Sequence, residues 1–386
     1  MRSPARRLLG CLALLLTACG APGQPRGGTA AGLAPQGSPA VLAGARAPAL
    51  PVLTPDQLAG QRVVYSYTGP TVPASLLSAV RSGRAAGVIF FGSNTADPDA
   101  LGRAVAALRQ AQQQSPVRLP LLLMTDQEGG RIRRLPGAPE QSERAIGQGP
   151  DAVAAAAAAG DAAARNLTAH GMNVNLAPVL DVHDQDGNFI DRTERSYSSD
   201  PAAAAGLGSA FITAQQRAGV AATAKHFPGL GTAPADSNTD TGPVTLNADK
   251  QRLTGTDEAP YPAAIAAGVD LVMVSWAVYP ALDPDHPAGL SPSVVNGELR
   301  DRLGFHGVTI TDALEAGALR AWGSTGQRAV AAAGAGMDLI LCSAQDPDQG
   351  EDATTALADA LTTDKLDRAG FDAALARVSA LRAELR

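Results

Sequence analysis

Eight short apolar runs, each separated from the next by a longer intervening stretch, constrain this chain more than any other feature. They are Arg62 to Tyr67, Gly87 to Phe91, Leu121 to Thr125, Val174 to Leu180, Val220 to Ala224, Leu271 to Ser275, Val308 to Thr311 and Met337 to Cys342. Most are apolar throughout instead of alternating, as strands covered on both faces must be. Ala-rich, helix-compatible segments lie between them, among them Asp97 to Gln114, Asp151 to His170, Pro201 to Ala218 and Pro292 to Leu303. Strand and helix repeated eight times predict an α/β fold whose parallel strands close into a (β/α)8 barrel of the TIM type. A doubly wound open sheet is the competing architecture. No G-x-G-x-x-G follows the first run, which weighs against it. The texture is uniform from Thr54 to Arg386, so a single domain over 54–386 is expected.

The first nineteen residues read as an address. Arg2, Arg6 and Arg7 form a basic start, and Leu8 to Leu16 form an apolar stretch too short to span a bilayer. Leu16-Thr17-Ala18-Cys19 then resembles a bacterial lipobox, which implies acylation of Cys19 and an exported protein anchored on the outer face of the cell membrane. An ordinary signal peptide with an incidental cysteine is the plainer alternative. Residues 20–53 are rich in Ala, Gly and Pro with almost no charge, and read as a flexible tether. Of the three cysteines, Cys11 falls in the removed segment and Cys19 carries the lipid. Cys342 alone remains, in an apolar run, so no disulfide framework is expected. Nor is there a zinc-type Cys/His spacing.

In such a barrel the active site forms at the C-terminal ends of the strands. The third run ends in Asp126-Gln127-Glu128-Gly129-Gly130, the fourth in Asp181, the fifth in Lys225-His226 and the seventh in Asp312. Carboxylates, a lysine and a histidine therefore converge on one barrel mouth. Each has a bland alternative. Asp312 alone suits a helix N-cap, Glu128 suits a brace for a tight turn, Lys225-His226 suits a surface pair, and Arg131, Arg133 and Arg134 suit a solvated loop. All of these would have to hold together. With 31 basic against 37 acidic residues and no basic tract beyond the N-terminus, nucleic acid is not an expected partner.

Three blocks, Asp126 to Arg131 (DQEGGR), Lys225 to Gly229 (KHFPG) and Val308 to Asp312 (VTITD), resemble glycoside hydrolase family 3. Their order and spacing are those of its single-barrel β-N-acetylhexosaminidases. Asn175 to Asp181, Arg195-Ser196-Tyr197 and Pro287 to Ser291 add to the likeness, which runs from about Leu53 to Ser343. The resemblance implies a retaining glycosidase with Asp312 as nucleophile. Asp126, Arg134, Arg195, Lys225 and His226 match positions that hold the sugar. It implies a terminal β-linked N-acetylglucosamine substrate of the peptidoglycan-fragment kind, no metal and no organic cofactor; a monomer is expected.

One position departs. The family places its general acid/base as a histidine in an Asp-Ser-His triplet after KHFPG, and this chain reads Asp236-Ser237-Asn238. An asparagine cannot donate and recover a proton near neutral pH. Three readings stay open: Asp236 or Asp240 supplies the proton, or the protein is a weak or inactive sugar-binding lipoprotein, or another acceptor or sugar is used. Leu230 and Trp276 also stand where the family often has histidine. Trp276 either stacks on a sugar or packs the pocket wall.

Overall fold

In the computed structural model the described residues are 52–385. The signal segment 1–19, with Cys11 and Cys19, lies outside them, as does all but the last two residues of the expected tether. Eight parallel strands form the centre: β1 (Val63–Tyr65), β2 (Gly87–Ile89), β3 (Leu122–Thr125), β4 (Val174–Asn175), β5 (Ala221–Phe227), β6 (Leu271–Val274), β7 (Val308–Thr311) and β8 (Ile340–Leu341). They are hydrogen-bonded in the order β7-β6-β5-β4-β3-β2-β1-β8. A parallel bridge from Ile310 to Leu339 joins the two ends, so the sheet closes into a barrel.

Every expected run contains one barrel strand. The run from Val174 to Leu180 pairs continuously only over Val174 and Asn175, with one further bridge between Val179 and Lys225. Pro178 has no N–H for a ladder. The fifth strand runs longer than its apolar stretch, because Lys225 and His226 continue it to Phe227.

The uniform apolarity of the strands follows from two covered faces. In β3, Leu122 and Met124 belong to the cluster inside the barrel, and Leu123 belongs to the layer beneath the helices. Truncating a side chain such as Leu123 to alanine costs about 2–5 kcal/mol in such a setting. Three helices start by one device: Asp97, Asp200 and Asp346 each cap the first turn, with proline at the first helical position. The Ala-rich helices Ala152–Ala169 and Pro201–Arg217 pack so closely that a methyl on Gly160 would overlap the Phe211 carbonyl. The stretch from Pro292 to Leu303 is helical over Ser293–Arg302, wound with wide π-type turns. Cys342 is a free, buried core residue, as its apolar run implies.

Candidate active site

The barrel mouth encloses a cavity of about 390 Å³. Ile89, Leu176, Met273 and Leu341, from the interior layer of the barrel, form its apolar floor. Asp126 follows β3, Lys225 and His226 are the last residues of β5 before Phe227, and Asp312 follows β7; all line this cavity, with Arg134, Arg195 and Asp240. The surface-pair reading of Lys225-His226 fails, since both are buried. Of the arginine cluster, Arg131 is exposed and pairs with Glu194, and Arg133 bonds the Gly130 and Gly137 carbonyls. Only Arg134 reaches the cavity. Its Nε stands 3.9 Å from Asp126 Oδ2 and has no hydrogen-bond partner.

Asp236 is placed differently from the expectation. It is exposed and absent from the cavity lining, in the turn that runs from Pro234 to Ser237. Asp240 is on the wall. The reason lies in the turn at Asn238, whose side-chain oxygen accepts from the Asp240 N–H at 2.9 Å. The Asn238 carbonyl accepts from the Thr241 N–H and hydroxyl. Asn238 thus builds the turn that presents Asp240.

That turn is fastened to the segment that follows β7. The Gly317 N–H donates to the Asp240 carbonyl at 2.8 Å, and the Ala318 N–H donates to that of Thr239 at 2.9 Å. Contact this close requires glycine at 317, where a methyl would overlap the Thr241 backbone. Asp312 lies on the same segment, and its Oδ1 accepts from the Ala313 N–H at 2.7 Å. The Trp276 indole donates to the Ala313 carbonyl at 2.8 Å. Trp276 is buried and does not line the cavity, so packing, not sugar stacking, is its part. Gly289, in the Pro287 to Ser291 block, leaves room for its ring.

Although Asp240 is exposed as a residue, its carboxyl sits among protein atoms at the rim. Loss of hydration there, together with the negative charges of Asp312 and Glu315, raises it above its ordinary value. A carboxyl whose proton affinity is raised by its surroundings, sharing a cavity wall with a second carboxyl, is a pairing that acid/base chemistry can use.

Beneath the cationic groups lies Glu128, a strand-end carboxylate for which a turn brace was the plainer reading. Arg195 donates to both of its oxygens at 2.8 Å, and Lys225 Nζ lies 2.7 Å from Oε1 and 2.8 Å from Asp126 Oδ1. Burial alone would neutralise Glu128, but Arg195 and Lys225 outweigh it and hold the carboxyl well below the usual range. Burial likewise works against the charges on Lys225 and Arg195. Asp126 and Glu128 overcome it for Lys225, and Glu128 first for Arg195, so both remain cationic.

Asp181 is the second hidden member. Its Oδ2 accepts from His226 Nδ1 at 2.8 Å, and its Oδ1 accepts from the Leu230 N–H at 2.7 Å. With Nδ1 committed as donor, His226 Nε2 faces Arg195 Nη2 at 3.4 Å as an acceptor. Glu315 also lines the cavity, held by the Ser343 hydroxyl and the Gln349 amide.

A family model described as the glycosyl hydrolase family 3 N terminal domain matches residues 66–381. The chain belongs to glycoside hydrolase family 3. It is accordingly an O-glycosyl hydrolase. A family-3 β-N-acetylglucosaminidase from Paenibacillus sp. superposes with a TM-score of 0.80 at 34% identity; the match covers 86% of this chain and 62% of that one. A β-N-acetylhexosaminidase from Beutenbergia cavernae gives 0.78 at 32% identity, over 86% and 98% of the two chains. In sequence, an uncharacterized secreted glycosyl hydrolase from Arthroderma benhamiae is 44% identical over 90% of this chain and 98% of its own. A β-hexosaminidase from Tolumonas auensis is 36% identical over 66% and 74%.

Within the family-3 barrel, the residues missed by sequence reading are Glu128, Asp181 and Glu315. The first two were visible as polar strand ends. Nothing local showed that Glu128 would meet Arg195 and Lys225, which lie far along the chain.

Proposed function

We propose that the protein is a retaining glycosidase that releases terminal β-linked N-acetylglucosamine, with Asp312 as nucleophile and Asp240 as the acid/base in place of the family's histidine. The observation that carries this reading is the tie between the turn bearing Asp240 and the segment bearing Asp312. It places a carboxyl with a raised proton affinity and a second carboxyl on one cavity wall.

In the first step the Asp312 carboxylate attacks the anomeric carbon while the bond to the leaving oxygen breaks. That oxygen takes the proton of Asp240. In the second step Asp240, now a carboxylate, removes a proton from water, whose oxygen displaces Asp312 and restores the β configuration. Asp126, Arg134, Arg195, Lys225 and His226 hold the sugar hydroxyls. Asp126 pairs with Lys225 and Arg134, Glu128 with Lys225 and Arg195, and Asp181 with His226, so these groups are fixed before substrate arrives and little reorganisation is needed as the ring flattens. The similarity to β-hexosaminidases supports the choice of sugar.

A second reading keeps the pocket and loses turnover; it rests on asparagine at 238. Comparing a natural β-linked disaccharide with an activated aryl glycoside separates the two, because the aryl leaving group needs no proton. Asp240→Asn should slow the disaccharide by about 10²–10⁴-fold and the aryl glycoside far less. The acid must be protonated to act, so the rate on the disaccharide should fall as pH rises through the raised Asp240 value. That alkaline limb should vanish in the variant. Disaccharide turnover unaffected by Asp240→Asn would remove Asp240 from the mechanism. Cys19 is proposed as the lipid attachment site of an exported form, in keeping with the secreted relative.

A further inference from the structure

Outside the sugar site, His183, Asp186 and Asp191 of the loop after β4 offer three ligand atoms within 4.8 Å of one another. The hydrogen bonds around His183 fix its ring. The Ser196 hydroxyl donates to the Asp181 carbonyl at 2.7 Å, so towards His183 Nδ1, 2.9 Å away, it can only accept. Nδ1 therefore carries the proton, and the lone pair on Nε2 faces Asp186 Oδ1 at 3.6 Å. Asp191 closes the group and is fully buried. Its Oδ2 accepts from the Gly187 N–H at 2.7 Å and faces Arg144 at 3.3 Å. Its Oδ1 is buried with no hydrogen-bond donor at all.

An imidazole lone pair, an exposed carboxylate and a buried carboxylate thus come together, and Arg144 answers only one of the two oxygens of Asp191. A buried carboxylate oxygen left without a donor is costly, and a cation held here would supply its partner. We propose that this loop binds one divalent first-row transition ion of the zinc type, through His183 Nε2, Asp186 and Asp191, with water completing the shell on the open side. One imidazole and two carboxylates suit zinc, whereas calcium prefers a larger, all-oxygen shell. Tetrahedral ligands about 2.1 Å from zinc stand roughly 3.4 Å apart. The His183–Asp186 separation is already close to that, and Asp186, 89% exposed, is free to adjust. The Ser196 hydroxyl on Nδ1 is the outer partner that orients a ligating histidine.

The ion would brace the wall of the sugar cavity. Phe189 of this loop lines the cavity, and Arg195 leaves the loop to reach Glu128. The site does not depend on which carboxylate serves as acid.

Calorimetric titration of the chelator-treated full-length protein with ZnCl₂ tests this. One saturable site is expected, weakened at least about tenfold by Asp186→Ala and by His183→Ala, and retained in Asp240→Asn and in His286→Ala, whose ring pairs with Asp283 outside this loop. Asp186 is exposed, so its variant should fold whatever the others do. Zinc should also slow amide exchange across residues 184–192 in the wild type and not in Asp186→Ala. Absence of zinc binding, calcium binding in its place, or zinc affinity that is lost in Asp240→Asn or His286→Ala and unmoved in Asp186→Ala would overturn the proposal.

Discussion

Glu128 and Lys225 meet at 2.7 Å at the base of the sugar cavity, each side chain only 2% exposed. A buried pair of this kind exists to hold a geometry, since its attraction is largely spent on desolvation. Removing one partner is different, because the other charge is left buried alone. Glu128→Gln should therefore destabilise the protein by about 3–5 kcal/mol in chemical denaturation and weaken sugar binding, because Lys225 and Arg195 would then repel across the cavity. Unchanged stability with unchanged binding would show that the pair is not what orders the mouth.

Gly317 gives a prediction about position without touching charge. Alanine there would push the Asp240 turn away from the Asp312 segment, since its methyl would overlap the Thr241 backbone. Activity on a natural disaccharide should drop more than tenfold, with labelling of Asp312 by a slow substrate largely kept. Equal loss of both would indicate general disruption.

Asp270, just before β6 and remote from the mouth, supplies a pH test of stability. Burial, with Glu384 second, pushes its carboxyl from an ordinary 3.8 up to about 7. A carboxyl raised in the folded state stabilises fully below its unfolded value, and that contribution is lost as pH rises from about 4 to about 7. Asp270→Asn should therefore stabilise the protein at pH 8 relative to wild type, by on the order of 1–3 kcal/mol after allowance for partial exposure, and give little gain at pH 4. Thermal unfolding at the two pH values measures it; the same gain at both would contradict the assignment.

The eight strands were legible because each is covered on both faces, which writes an apolar run into the sequence. Strand ends were legible for the same reason: Asp126, Lys225 and Asp312 interrupt those runs. What could not be read was how the ends meet. Glu128 looked like a turn brace because its partners come from elsewhere in the chain, Lys225 from β5 and Arg195 from the loop after β4. Asp236 and Asp240 looked equivalent, and only the hydrogen bonds at Asn238 and Gly317 turn one outward and the other onto the wall. The loop from His183 to Asp191 carries no Cys/His spacing, so the approach of His183, Asp186 and Asp191 was invisible before the chain folded.

Anchoring at Cys19 is tested by metabolic labelling with a fatty acid. The wild-type protein should take up label and sediment with membranes, and Cys19→Ala should do neither. Equal labelling of both would exclude acylation at this residue.

Mass spectrometry of the intact protein after incubation with a 2-fluoro or otherwise slow-turnover β-glycoside tests the central claim most directly. The account predicts a mass increase of one glycosyl unit, mapped by proteolysis to Asp312 and absent from Asp312→Ala. An adduct on another residue, or none on folded protein that binds the sugar, would contradict it.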